Sequence, residues 1–453
     1  MVNIGSLRKT SSKDFLICKG LAIEQNGYKS NFYKKKPKKL TASSIFIGFW
    51  LMHQKGKNTL RNWCTQIALS SETIVTEQSL NERINSSAVD LSQLVLRHAL
   101  NKKVRRKRLV KQKASFGNQL TIFNRIMIRD STTQQLPDHL AEQFSGSYSH
   151  GNPTAIMRIQ ALFNFTEMKW VDFEVGAFTD NDQKAAPHIA PNLEQGDLLL
   201  QDLGYFTLDW LEQVTENQYI VTKWKPNINL YDQHHNRLDL LTLLDDKKEL
   251  DMSVLVGAKK KIPLRLVVKQ LPKGEAQRRI REAKNNRHSK ANHSQEYYHL
   301  LRYEMYLTNI PTKSMTVKNV AKLYGLRWYI EVLFKSWKSY AKFKTFFEKA
   351  KANIHRVTFS IYAILIELVF LKNYTFEYFK NNIELKAPHF LSCLKFMDLV
   401  NDAFEMIITV FNPKQWSKLI PLINDKATYN YHPKRKNSIE KFLYVNELCI
   451  NNL

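Results

Sequence analysis

The sequence predicts a mixed α and β (α+β) fold: a sheet-built core, split by a mostly β insertion and flanked on both sides by helical regions. Three observations predict it. Apolar, β-branched runs of strand length cluster between about residues 120 and 311, where they alternate with short helical patterns. On either side, apolar residues recur at helical spacing instead. Only 14 Gly and 13 Pro occur in 453 residues, which disfavours a low-complexity or collagenous chain and favours long helices. Hydrophobic residues make up 43% of the chain, enough to build cores, so general disorder is excluded. At about 150 residues per domain, the length suggests about three domains.

Charge narrows the function classes. There are 68 Lys+Arg against 41 Asp+Glu, a net charge of +27, which makes a polyanion, nucleic acid first, the expected partner. A polybasic membrane-surface protein would need an amphipathic anchor, and none stands out. Cys18, Cys64, Cys393 and Cys449 are scattered, so neither a disulfide framework nor a cysteine zinc site is expected. The histidines have no zinc spacing: His234 and His235 are adjacent, and His288 and His293 lie in a polar stretch. The N-terminus has no apolar signal core. The most apolar run, Val357 to Leu371, carries Glu367 and reads as a buried helix rather than a membrane span. A reducing, cytoplasmic location is the corresponding expectation.

Residues 1–115 read as a helical, basic, DNA-binding domain. The cluster Lys34 to Lys39 precedes an apolar stretch that Thr41 or Ser43 can cap. Short amphipathic helices follow, with polar breaks near Ser70-Ser71 and Asn85-Ser86. Their spacing fits a helix-turn-helix and equally an ordinary bundle. Lys102 to Lys113 then carries eight basic residues and no acid, a solvated linker by composition that is also placed to track DNA.

Strands begin near residue 120. Leu120 to Asp130 is apolar and ends in an acid; two further runs, Thr154 to Met168 and Lys169 to Asp180, read as antiparallel neighbours. A helical segment leads to a short buried strand that ends at Asp202; a helix and the strand Gln218 to Trp224 follow. Three strands, helix, strand, helix, strand is the order of a ribonuclease H-like core, here residues 116–225 and 301–350. Residues 226–300 interrupt it as a mostly β insertion, with the strand Ile262 to Lys273 and a basic segment after it. Leu301 to Pro311 returns to strand, Val317 to Tyr340 fits one long helix, and residues 351–453 form a C-terminal helical region, a candidate for dimerisation.

The long helix carries the sharpest chemical pattern. Tyr324, Arg327, Glu331 and Lys338 stand at i, i+3, i+7 and i+14. At about 100° per residue they share one stripe, with Lys335 beside it. An acid among Arg, Lys and a tyrosine hydroxyl suits a metal-bound phosphodiester; ion pairing such as Arg327 with Glu331 on an ordinary amphipathic helix is the plainer alternative. A chance match to this spacing is on the order of 0.3% for a chain this long.

These residues resemble a known family. Y-x2-R-x3-E-x6-K, read as Tyr324, Arg327, Glu331 and Lys338, is similar to the signature of DDE transposases of the insertion-sequence family four type. The first acid of that family closes a strand before small hydroxyl residues, as Asp130 precedes Ser131 and Thr132. Its second acid ends a strand before a Gly-aromatic turn, as Asp202 precedes Gly204 and Tyr205; Leu203 stands where the family usually has a basic residue. The resemblance implies that Asp130, Asp202 and Glu331 are catalytic and hold two Mg²⁺ ions, with Mn²⁺ able to substitute. It implies that Tyr324, Arg327, Lys335 and Lys338 bind DNA. Cleavage at an element's ends would be followed by attack of the freed 3′-hydroxyls on target DNA. The partners would be double-stranded DNA, both terminal inverted repeats and target, and a second copy of the chain. Where relatives pass through a hairpin, an aromatic from the insertion stacks a flipped base; Trp224, Tyr231 and Tyr303 are the candidates. The competing acids are Asp180 and Asp182, expected to be solvated in a turn, Asp197, which starts rather than ends its strand, and Asp209 on a surface helix. A ribonuclease H-like nuclease or resolvase, or a transposase-derived DNA-binding protein without catalysis, are the alternative functions.

Overall fold

The computed structural model describes residues 20–102, 120–149, 151–245, 247–285, 294–340, 353–383, 391–409 and 417–428. The basic cluster beyond Lys102, the tail Lys434 to Lys436, His288 and His293 lie outside the described residues.

Among the described residues five helices come first: α1 (Ile23–Lys29), α2 (Ala42–Gln54), α3 (Leu60–Ser71), α4 (Glu77–Arg83) and α5 (Ser86–Asn101). Thr41 caps α2, its side chain accepting from the Ser44 N–H while the Ser44 hydroxyl accepts from the Thr41 N–H, which satisfies two donors the helix leaves open. The expected polar breaks are real boundaries: α3 ends at Ser71 with Glu72 left-handed, and Asn85 caps α5.

The sheet strands are β1 (Ile126–Leu136), β2 (Ser145–Ser149), β3 (Asn152–Asn164), β4 (Lys169–Ala177), β5 (Leu198–Gln201), β6 (Tyr219–Lys223), β7 (Leu230–Tyr231), β8 (Glu249–Val256), β9 (Ile262–Gln270) and β10 (Tyr303–Thr308). They form one sheet in the order β2-β3-β1-β5-β6-β10-β9-β8-β7, with β4 also paired to β3. β1 pairs antiparallel with β3, while β1, β5 and β6 are mutually parallel. This β4-β3-β1-β5-β6 arrangement is the predicted ribonuclease H-like core. The parallel strands are joined through helices that lie across the sheet, notably α6 (Leu208–Asn217). β1 does not stop at Asp130 as expected; it continues to Leu136 against β3. What ends at Arg129 is its pairing with β5, because β5 is only four residues long.

The insertion is not a separate layer. β10 pairs with β6 on one edge and β9 on the other, so β7 to β9 extend the same sheet. The basic segment after β9 forms helix α7 (Lys273–Lys284).

The expected single helix from Val317 is two: α8 (Val317–Gly325) and α9 (Trp328–Tyr340). Between them the backbone tightens, with Leu326 N donating to Leu323 O, Arg327 N to Tyr324 O and Tyr329 N to Leu326 O. These i→i+3 bonds rotate the chain faster than an α-helix does, at the point where Gly325 lowers helical propensity.

The described N-terminal helices also pack on the helices that follow the sheet. The Trp50 indole donates to Ala363 O at 2.9 Å, and Phe359 packs on Phe46 at 5.0 Å and Trp63 at 5.7 Å between ring centroids. Ala363 and Phe359 belong to α10 (Ile354–Val369), so the N-terminal and C-terminal helices share one core. Periodicity marks which face of a helix is apolar but not which partner covers it. The predicted buried helix is thereby accounted for: Ile354–Lys380 is long and apolar enough to cross a membrane, but 72% of its most apolar window is buried inside the protein.

Candidate active site

The site is built by strand register. Arg129 of β1 stands opposite Gln201 of β5, so the next residues, Asp130 and Asp202, come side by side where the parallel pairing ends. Ile126 and Ile128 on β1, and Leu198 and Leu200 on β5, all pack into the core on one face. Alternation then sends Asp130 and Asp202 to that same face, beneath α8 and α9. Asp202 also opens the following turn, accepting from Gly204 N at 3.5 Å.

One guanidinium gathers the three predicted acids. Arg327 Nη1 donates to Asp130 Oδ2 at 2.7 Å; its Nη2 donates to Glu331 Oε1 at 2.6 Å and lies 3.8 Å from Asp202 Oδ1. Asp130 Oδ1 accepts from the Ser131 N–H at 2.8 Å. Burial pushes the Asp130 carboxyl up to about 6; Arg327 and the Ser131 N–H pull it down, while Asp202 and Glu331 push it further up. Burial likewise disfavours charge on Arg327, but Tyr324 and the three carboxylates outweigh it and hold Arg327 above its ordinary value.

Among the described residues no three His, Cys, Asp or Glu side chains are close enough together to hold an ion. The carboxylates converge on Arg327 rather than on one another. Their donor set nevertheless fits a hard divalent ion: all donors are oxygen, and Arg327 already occupies the space among them as a stand-in cation.

The remaining predicted residues divide. Tyr324 is buried, its hydroxyl donating to Gln201 O at 3.4 Å and its ring 5.1 Å from that of Tyr306, so it supports the strand carrying Asp202. Lys335 and Lys338 are exposed on α9, as is Glu331. Trp328, 58% exposed, was missed. It precedes Glu331 by three residues and Lys335 by seven, a spacing that puts it on the same face. Trp224 and Tyr303 are buried, bonded to Ile228 O and Leu244 O. Tyr231 is half-buried under Lys261.

Asp182 departs from its expectation as a solvated turn residue. It accepts from Arg158 at 2.7 Å, Gln160 at 2.9 Å and the Ser131 hydroxyl at 3.0 Å, tying the residue after Asp130 to the opposite face of the sheet. A Cβ at Gly204 would meet its Oδ2 at 2.9 Å, so the turn after Asp202 is packed against it. No local pattern announces these contacts, which arise between strands. Asp197 is buried against Arg125 at 2.5 Å, and Asp209 is 88% exposed and pairs with Lys260 at 2.9 Å; both are structural.

Comparison with known proteins places this geometry. The family model described as "Transposase DDE domain" matches residues 122–366, from just before β1 into α10. The transposase of insertion sequence element IS231F from Bacillus thuringiensis subsp. israelensis is 24% identical over 94% of each chain. That of IS231B from Bacillus thuringiensis subsp. berliner is 26% identical over 70% of each. Among solved structures, the cryo-EM structure of the piggyBac transposase synaptic complex with hairpin DNA covers 93% of this chain and 85% of that one, at a TM-score of 0.43 and 8% identity, a likeness too low to bear on the fold. With more than half its length matched by that family model, and with the strand order and clustered acids described above, the chain belongs to the DDE-domain transposases.

Proposed function

We propose that this transposase cuts DNA phosphodiester bonds at the ends of its element and joins the freed 3′-hydroxyls to target DNA, with Asp130, Asp202 and Glu331 holding two Mg²⁺ ions for which Mn²⁺ can substitute. The observation that carries this reading is the convergence of three carboxylates, from β1, from the end of β5 and from α9, on the single guanidinium of Arg327. When bound, such ions would activate the attacking oxygen and stabilise the leaving one. The chain's own residues do the rest. Asp130, the most enclosed of the three, is suited to a shared ligand position, and the more open Asp202 and Glu331 to one ion each. With cations supplied, Arg327 is freed from neutralising the carboxylates and can grip a phosphate through two parallel N–H bonds. Lys335 and Lys338, one and two turns along α9 from Glu331, provide point charges for the neighbouring backbone. The exposed Trp328 ring offers a stacking surface to an unpaired base. Two copies of the chain, one at each element end, would make up the reacting assembly.

Plasmid cleavage tests this directly. With Mg²⁺ the wild type should cut DNA carrying the element's ends and not DNA with those ends scrambled. Asp130→Asn, Asp202→Asn and Glu331→Gln should each slow cutting by about a thousandfold or more, several kcal/mol of lost transition-state stabilisation, while still binding the ends. Full cleavage by any one variant would remove that residue from the site. Equal cutting of scrambled DNA would favour a plain nuclease.

A further inference from the structure

The register that aligns Asp130 with Asp202 continues one strand further. Leu200 of β5 stands opposite Val221 of β6, so Lys223 comes level with Asp202 at the same edge of the sheet. Val221 packs into the same core as Leu200 and Ile128, so alternation points Lys223 to the face that carries the acids. Where the parallel pairing runs out, neighbouring β1, β5 and β6 thus carry Asp130, Asp202 and Lys223 in a row. On its other side Lys223 is paired with Tyr306 of β10.

A cation–π contact holds it there. The ammonium lies 5.6 Å from the centre of the Tyr324 ring. No described carboxylate is within ion-pair distance of it. Glu304, the nearest acid on β10, instead pairs with Arg279 of α7 at 3.0 Å. Burial disfavours the Lys223 charge, Arg279 and Arg327 add to that, and Glu304 and Asp202 oppose them. A half-buried, uncommitted cation beside a catalytic acid is better satisfied by an anion that arrives than by anything already present. A phosphate is that anion for a DNA-cutting site, and Lys223 is on the side of Asp202 away from Asp130.

We propose that Lys223 grips a backbone phosphate next to the scissile bond, on the Asp202 side, and so sets the position of the DNA strand over the carboxylates. This rests on the DNA-cleavage reading above. The grip comes from the sheet itself, whereas Arg327, Lys335 and Lys338 act from the α8–α9 segment. The strand would therefore be held from two elements at once. Lys223 is a positioning residue: it orients the substrate and holds no metal.

The test is single-turnover cleavage of a series of pre-bound element ends, each with one phosphate near the cut replaced by a neutral methylphosphonate. Lys223→Met keeps the apolar stem beside Tyr324 and removes only the charge. It should slow cleavage of the unmodified end by about tenfold to a hundredfold, the loss of one charge-assisted contact, with Mn²⁺ affinity unchanged. At one phosphate position the penalty seen in the wild type should vanish in Lys223→Met, because the lost partner is already neutral. Lys223→Arg, which restores a cation, should recover most of the rate and keep that penalty. If Lys223→Met does not fold by circular dichroism, Lys223→Gln is read in the same series. Cleavage at the wild-type rate, or retention of every positional penalty in the neutral variant, would overturn the assignment. A wild type that cuts no end DNA would overturn the functional reading and this assignment with it.

Discussion

Burial of Asp130 against Arg327 sets up a carboxyl whose protonation differs between folded and unfolded chains. It titrates near 3.8 when unperturbed and at about 6 in the folded protein. Between those values the folded protein binds a proton that the unfolded chain has released. Its contribution to stability is therefore fully present below about 4 and is lost as pH rises through 6. At neutral pH, without metal, the ionised group is held at a disadvantage of up to about 3 kcal/mol, two units at about 1.4 kcal/mol each. Asp130→Asn, similar in shape and uncharged, should then make the metal-free protein more stable than wild type at pH 7.5 by up to that amount. The difference should close at pH 4. Urea unfolding in chelator at both values measures it, and a destabilised variant at pH 7.5 would show that Arg327 depends on the Asp130 charge more than burial penalises it. A gain in stability on removing a predicted catalytic charge is the behaviour expected of a group placed for chemistry rather than for folding.

At the level of elements, what the sequence made legible follows from periodicity. β1, β3, β4, β5, β6, β9 and β10 show as apolar or alternating runs, and the two aspartates are recognisable from the residues flanking them. β2, Ser145–Ser149, is small and polar and pairs only because β3 runs past the end of β4. The break between α8 and α9 was invisible because one glycine in a helical pattern is usually tolerated. It matters to the site: with the tight turn at Leu326-Arg327, Tyr324 is buried and Arg327 meets Asp130, so the four residues do not run along one continuous helix. The exposed face of α9 is consequently Trp328, Glu331, Lys335 and Lys338. Lys223 was hidden for another reason. Its place beside Asp202 depends on the pairing of β5 with β6, and register between strands is not written in either strand alone.

At the scale of the whole molecule, the described residues place the sheet against a helical body that α1–α5 and α10 share. His53 of α2 is buried against Glu367 of α10 at 2.9 Å, and Asn373 spans the backbone of Trp170 on β4 at 2.9 and 3.3 Å. Elements some two to three hundred residues apart are thus joined by polar as well as apolar contacts. Phe359 sits at the seam, fully buried and in ring contact with Phe46, Phe49 and Trp63. Phe359→Ala should destabilise the protein by about 3–5 kcal/mol, the usual range for a buried Phe truncated to Ala, and the N-terminal helices should lose amide protection together with α10. Hydrogen exchange across both regions checks it. Loss of protection confined to α10 would mean that the N-terminal helices stand as a domain of their own, as their basic composition first suggested.

In the proposed reaction Asp130, Asp202 and Glu331 form one cation site, which Arg327 fills provisionally. Calorimetric titration of Mn²⁺ into the full chain bound to an element end addresses it most directly. Asp130→Asn, Asp202→Asn and Glu331→Gln should each weaken binding by at least about tenfold, the scale on which even supporting groups of metal sites act, while Arg327→Ala should bind at least as tightly as wild type because the stand-in charge is gone. Unchanged affinity in the three carboxylate variants, or loss of binding in Arg327→Ala, would contradict it.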